Sequence, residues 1–332
     1  MDIRGKKLLV IGGAGLIGSH LVEELLKEDV AEVCVYDNFC RGTMENLSEA
    51  LKDKRCNVFP LGGDICQRDI LEEAVKGKDG VFLLAALWLL HCHEYPESAF
   101  EVNVRGSFNV LQACVRQGVE RLVFSSSASV YGDAVVEPMK EDHPYNNWTF
   151  YGANKIAVEH MFKALHNRYG LNGVCLRYMN VYGPRQDYRG TYIAVMMKIL
   201  DRIDRNEQPV VHGDGSQAYD FIYVKDVARA NVCAMKAEVP FGFYNVGRGI
   251  KTSISELADL LLRQAGRKDL GIRYKPGGTT FVTNRVGCPE AAKRDLGFEW
   301  TVDLEEGMKN LIEWRNSHKK AVEARRKAAG VE

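Results

Sequence analysis

The chain has 332 residues and is 46% hydrophobic, which is enough for a sizeable core in one large domain or two and too much for a disordered chain. Lys plus Arg and Asp plus Glu both number 44, so no overall field draws the protein to nucleic acid or to an anionic membrane, and an anionic ligand must be caught locally. Nine scattered cysteines with no Cys-x-x-Cys pair argue for reduced thiols and against a disulfide framework or a cysteine zinc site.

The chain opens Met-Asp-Ile-Arg-Gly-Lys-Lys and runs into a short strand, without the apolar stretch of a signal peptide, so a cytoplasmic location is expected. Apolar runs then alternate with helical patterns. Strands are predicted at Lys7–Ile11, Glu32–Tyr36, 58–61 and 81–84, with helices from Leu16, near Met44 and from Ile70. The longest apolar stretch, 81–90, is too short to span a membrane. Helical stretches at 99–117 and 154–169 separate further strands at 121–125 and 174–177. Repeated βα units of this kind predict an α/β fold with a doubly wound parallel sheet.

Beyond Asn180, Gly-rich loops break the pattern and predict a smaller α+β substrate lobe over 181–221 and 248–332. Residues 243–246 are β-like enough to rejoin the large sheet. The lobe is therefore expected to be interleaved with a first domain of 1–180 and 222–247. The basic tail, 319–327, reads as a solvated helix end.

Gly12, Gly15 and Gly18 stand three apart between the first strand and the first helix. Glycines there let a pyrophosphate approach the backbone amides that open the helix, around Leu16 and Ile17. A tight strand–helix turn would need fewer glycines in so particular a place. Asp37 follows Gly18 by nineteen residues, where a carboxylate accepts both adenosine ribose hydroxyls and repels a 2′-phosphate. That favours NAD over NADP in a Rossmann domain, with nearby Arg41 the one residue pulling the other way. Asp64, after Gly62-Gly63, either reaches the adenine amine or caps the next helix.

Tyr151 and Lys155 lie four apart at the start of a helical segment and share a face. An ammonium and a positive nicotinamide both favour a phenolate, bringing a tyrosine down from its ordinary pKa of roughly 10. Such a phenol exchanges a proton with a sugar hydroxyl while hydride moves. Ser125, Ser126, Ser127 and Ser129 close the fifth strand at the end where open parallel sheets bind ligands, and Ser127 is placed to share the proton or hold a carbonyl.

In this order the motifs resemble the extended short-chain dehydrogenase/reductase family: the glycine turn, Asp37-Asn38, Gly63-Asp64, Ala85-Ala86, Asn103-Val104-Arg105-Gly106, the serine strand, Tyr151-x-x-x-Lys155, Arg177-x-x-Asn180-Val181-Tyr182-Gly183-Pro184, Asp220-Phe221 and Asn245-Val246-Gly247. The run from Ser125 to Gly132 is similar to that of nucleotide-sugar 4-epimerases of the UDP-glucose type. Related 4,6-dehydratases carry an Asp-Glu pair at Ala128 and Ser129. The resemblance implies an NAD-dependent epimerase of a nucleotide sugar, reacting at C4 and recycling its cofactor. It implies catalysis by Ser127, Tyr151 and Lys155. It implies NAD contacts from Gly12, Gly15, Leu16, Ile17, Asp37, Asn38, Arg41, Gly42, Asp64 and Ile65 on one side, and from Leu84, Ala85, Ala86, Asn103, Ser125, Tyr151, Lys155 and Tyr178 on the other. Substrate contacts are implied for Trp88, Ser127, Ala128, Ser129, Asn180, Arg185, Tyr219 and Arg285, and a homodimer is implied through helices 99–117 and 154–169.

Two departures concern the substrate half. Tyr219 and Gly278 stand where such epimerases carry diphosphate-gripping arginines, and a neutral tyrosine makes no bidentate pair with phosphate. Either Arg185, Arg189, Lys275 or Arg285 meets the diphosphate or the substrate differs from the usual one, with Arg285 then receiving a carboxylate in the sugar pocket or simply facing the surface. The other departure is the aromatic segment 88–93, where Trp88 lines the sugar site or packs. His91 and His93 lack the third ligand that a metal would require. The competing readings are a net oxidoreductase or another sugar-modifying member, and a non-catalytic NAD-sensing module. A sensor has no need of Tyr151 and Lys155.

Overall fold

The computed structural model describes residues 1–186, 195–277 and 282–321. Its strands in chain order are β1 (Lys7–Ile11), β2 (Glu32–Tyr36), β3 (Cys56–Val58), β4 (Gly80–Leu83), β5 (Arg121–Ser127), β6 (Gly173–Tyr178), β7 (Asn180–Tyr182), β8 (Val210–His212), β9 (Ala218–Tyr223), β10 (Phe241–Val246), β11 (Lys251–Ser253), β12 (Arg273–Lys275) and β13 (Asn284–Arg285). Seven of them form one sheet in the order β10-β6-β5-β4-β1-β2-β3, and every pairing in it is parallel. The fold is thus the expected α/β doubly wound sheet.

Burial on both faces explains why these strands are almost wholly apolar. Leu8 and Val10 belong to one core, while Leu9 and Ile11 belong to the core on the opposite face. The sheet order reverses between β4 and β1, which opens a crevice at the carboxyl ends of the strands. As expected, the 243–246 run returns to the large sheet, as edge strand β10 beside β6. A second sheet has the order β11-β9-β13, with β7 also paired to β9, and β12 pairs with β8. A third core around Tyr182, Leu200, Phe221 and Leu261 lies beneath them.

Three predicted elements differ. The third strand is Cys56–Val58 rather than 58–61, and Leu61 is 65% exposed. Pro60 has no amide to donate, so the ladder cannot extend through it. Near Met44 there are two 3₁₀ turns, Met44–Leu47 and Ala50–Lys52, the first capped by Thr43. The stretch 99–117 is not one helix: a π-helical turn, Phe100–Gly106, precedes the α-helix Ser107–Gln117. No described helix is long and apolar enough to cross a membrane.

Candidate functional site

A cavity of about 1500 Å³ runs along the carboxyl ends of the large sheet. Its floor is the glycine turn. Gly12 has φ +82°, and a Cβ there would lie 2.7 Å from the Ala85 amide nitrogen. A Cβ on Gly18 would lie 2.2 Å from the Gly12 carbonyl oxygen. Gly15, by contrast, would meet only that oxygen, at 3.5 Å. It is the N-cap of the eleven-residue helix Leu16–Leu26 and offers no side-chain cap. The first-turn amides are left for a ligand, with the positive end of the helix dipole behind them. That arrangement fits a pyrophosphate.

Asp37 stands at one end of the turn. Its Oδ2 accepts from the Ala14 amide at 2.9 Å and its Oδ1 from Phe39 at 2.8 Å, while burial raises its pKa. Gly63 allows β3 to close on it, because a Cβ there would fall 2.0 Å from the Asp37 carbonyl. Asp64 lines the cavity and accepts from the Cys66 amide two residues on; it does not cap the next helix, Arg68–Val75, whose N-cap is Gln67 without a side-chain bond. Asn38, Gly42, Ile65, Leu84, Ala85 and Ala86 line the same space. Arg41 lies with its guanidinium carbon 4.1 Å from the centroid of the Trp88 ring. The two residues were expected at different ligands, and the fold brings them together.

Ser125, Ser127, Ser129, Tyr151, Lys155 and Tyr178 meet at the other end. The helix Phe150–Tyr169 starts earlier than 154 because the Thr149 hydroxyl accepts from the Gly152 amide at 3.1 Å. Tyr151 is therefore in the first helical turn, where the dipole favours a phenolate. Gly152 packs the helix start onto the serine loop, since a Cβ would sit 2.4 Å from the Ser129 carbonyl oxygen. Lys155 donates to the Ser125 carbonyl at 2.7 Å, and its nitrogen is 5.6 Å from the Tyr151 ring centroid. The Ser127 hydroxyl donates to Ser129 Oγ at 3.2 Å and accepts from the Ser129 amide. Tyr178 donates to Asn231 and is bonded to Ser125, and burial pushes its pKa up to about 12, so it stays neutral.

Burial lowers the Lys155 ammonium to a pKa of about 8. Its charge is present below that pH and lost above it. Turnover is expected to fall about tenfold per pH unit as pH rises past about 8, if the charge assists Tyr151. A pH–rate profile checks this, and Lys155→Arg, which does not titrate, should remove that alkaline fall even at a lower rate.

Two residues expected to touch ligands do not line the cavity. Asn103 is buried and spends its amide within the protein: its Oδ1 accepts from the Leu87 amide at 2.7 Å and its Nδ2 donates to the Leu87 carbonyl at 2.9 Å and to Cys92 Sγ at 3.3 Å. Ala128, 1% exposed, sits in the 3₁₀ turn behind Ser127 and Ser129. On the substrate side, Asn180 lines the cavity and donates to the Asp220 carbonyl. Arg185 lines it too, at φ +67°, and pairs with Glu23. Tyr219 donates to the Val282 carbonyl at 2.7 Å. Arg285, its register partner on β13, reaches the serine loop, with Nη1 3.4 Å from Ser129 Oγ. Lys275 also lines the cavity, while Arg189 and Gly278 lie outside the described residues.

The sequence reading passed over the buried pair behind this site, Glu159 with Arg177. Glu159 is one turn beyond Lys155 and accepts from Ser126 at 2.6 Å, between the two serines that face the cavity. A carboxylate four residues after the helix lysine was the available signal.

A model of the NAD dependent epimerase/dehydratase family matches residues 8–247. A putative UDP-glucose 4-epimerase of Methanocaldococcus jannaschii is 33% identical over 318 residues, covering 94% of this chain and 99% of that one. A UDP-N-acetyl-alpha-D-glucosaminuronate decarboxylase of Bacillus cytotoxicus is 32% identical over 324 residues, covering 93% and 97%. The solved structure of a UDP-N-acetylglucosamine 4-epimerase from Methanobrevibacter ruminantium, in complex with UDP-N-acetylmuramic acid, matches with a TM-score of 0.88 at 32% identity, covering 95% and 99%.

Proposed function

Because the chain belongs to the NAD dependent epimerase/dehydratase family, we propose that it inverts a nucleotide-diphosphate sugar at C4. The observation that carries this reading is the catalytic end itself: Ser127, Ser129, Tyr151 and Lys155 meet there, with Ala128 and Ser129 where an acid pair would serve water elimination. The relatives include both UDP-glucose 4-epimerases and a decarboxylase, and that hydroxyl-lined end favours the former.

The glycine turn, Asp37 and Lys155 hold NAD, which when bound accepts a hydride and gives it back. Tyr151, as phenolate, withdraws the proton from the sugar hydroxyl and returns it after the sugar has turned over. Lys155 keeps the phenolate favoured, and Ser127 donates to the sugar oxygen as charge develops on it. Exposed Phe100 (51%) and Phe150 (54%), on neighbouring helical segments, support a homodimer. The protein acts in the cytoplasm in this reading, and residues 181–221 and 248–332 form its substrate lobe.

The test is incubation with UDP-, GDP-, CDP- and dTDP-sugars, resolving epimers while following reduced-cofactor absorbance. Failure to form an epimer from any of them sinks the reading, and steady accumulation of NADH would make the protein a net oxidoreductase. Arg285→Ala separates the two anions its guanidinium can serve. Loss of a charged hydrogen bond is expected to lower kcat/KM by about 10- to 150-fold. A loss confined to carboxylated sugars assigns Arg285 to the sugar, and an equal loss on neutral sugars assigns it to the diphosphate.

A further inference from the structure

We propose that Arg41 and Trp88 form a strap across the pyrophosphate of bound NAD and hold the cofactor in the protein between turnovers. The inference rests on the reading of the cavity as an NAD site. Arg41 follows β2 and Trp88 follows β4, and β1, with its glycine turn, lies between those two strands in the sheet. A contact from one to the other therefore spans the turn whose amides are left for the pyrophosphate. The contact is close: the Arg41 guanidinium carbon is 4.1 Å from the Trp88 ring centroid, within stacking range, and both residues line the cavity.

Each end of the strap is anchored to the body of the protein. The loop carrying Arg41 is tied to the glycine turn through Ala14, whose carbonyl accepts from the Thr43 amide at 3.3 Å and from Asn46 Nδ2 at 2.9 Å. A Cβ on Gly42 would lie 2.7 Å from Ala14, so the loop can come no nearer. On the far side, Asn103 holds the backbone of Leu87 by both of its amide atoms, and the Trp88 ring meets the edge of His91 at 5.1 Å. The anchors set the two partners, and the guanidinium–indole contact closes the space between them. A dinucleotide lying from Asp37 to Lys155 cannot leave sideways until that contact breaks. The aromatic segment after β4 thus serves cofactor retention rather than the sugar.

The strap is tested on the binary complex, without any sugar, so a failed epimerase assay leaves its result intact. The protein is loaded with NADH, and loss of bound-NADH fluorescence is followed after mixing with excess NAD. Trp88→Ala is expected to release cofactor about 3- to 30-fold faster, the range set by one cation–π contact. Trp88→Phe, which keeps a ring face and guards against misfolding, should fall between it and the parent. Arg41→Lys, which keeps charge but not the planar stack, should also release faster. The double change Arg41→Lys with Trp88→Ala should release no faster than the quicker of its two single variants, because one contact is lost once. Parent-like release from Trp88→Ala and Trp88→Phe, or additive single effects, would overturn the strap.

Discussion

Replacing Tyr151 by phenylalanine is expected to lower kcat by about 10²–10⁴-fold, the contribution of a positioned acid–base group, while leaving NAD binding in place. The expectation follows from where the phenol stands. Thr149 caps the helix just before it, so Tyr151 occupies the first turn and feels the positive end of a twenty-residue helix. Lys155 is fixed one turn on by its bond to the Ser125 carbonyl, which leaves the ammonium beside the tyrosine ring. The glycine turn and Asp37, proposed to hold the dinucleotide, are on other elements and keep their geometry. Turnover and cofactor binding are therefore separable, and a spectroscopic NAD titration run beside single-turnover kinetics reads both. Turnover close to that of the parent protein would remove Tyr151 from its role, and loss of NAD binding would mean that the ring supports the cofactor instead. Ser127→Ala should cost less, because Ser129 Oγ, 3.2 Å from the lost hydroxyl, remains to contact the sugar oxygen.

What was legible in the sequence obeyed local rules. β1 and β2 fall on the predicted residues because a strand buried on both faces must be largely apolar, and the glycines at 12 and 18 mark a turn where a side chain would collide with backbone. What was not legible depends on contacts distant in sequence. Asn103 was placed on the cofactor, yet its amide is satisfied by Leu87, sixteen residues earlier. Arg41 and Trp88 belong to separate motifs, and only the sheet order brings them together. Arg285 was named among several basic candidates, and its approach to the serine loop was not legible, since it depends on the pairing of β13 with β9. Patterning reports which face of an element is buried, not which distant polar group waits there.

The second large effect concerns stability. Glu159→Gln is expected to destabilise the fold by about 3–5 kcal/mol, the cost of leaving one member of a buried ion pair uncompensated. Side chains of Arg177 and Glu159 are 1% and 0% exposed. Glu159 Oε1 accepts from Arg177 Nε at 2.9 Å and from Ser126, and Oε2 accepts from Arg177 Nη2 at 2.7 Å and from Tyr145. The remaining guanidinium hydrogens reach the Tyr131 hydroxyl and the Glu141 carbonyl, both at 2.8 Å, and the Tyr145 hydroxyl at 3.0 Å. Burial alone would lower the Arg177 pKa, but the hydrogen bonds and charge of Glu159 outweigh it and raise it above its ordinary value. An amide in place of the carboxylate keeps the shape, turns an acceptor into a donor facing that cation, and removes the opposing charge. Arg177→Met is expected to cost a similar amount for the converse reason, by burying an unpaired carboxylate. Denaturant unfolding of the two single variants and the double Glu159→Leu with Arg177→Met supplies the check. The double should lose less than the sum of the singles, since it leaves no orphaned charge, although Ser126, Tyr131 and Tyr145 still lose partners. Additive losses, or a loss below about 1 kcal/mol for Glu159→Gln, would show that the pair does not hold the fold. Ser126 lies between the two serines of the cavity and Glu159 one turn from Lys155. The same pair that holds the fold therefore also holds the strand of the serines against the helix of Tyr151 and Lys155, and a folded Glu159→Gln protein should turn over more slowly than its stability alone predicts.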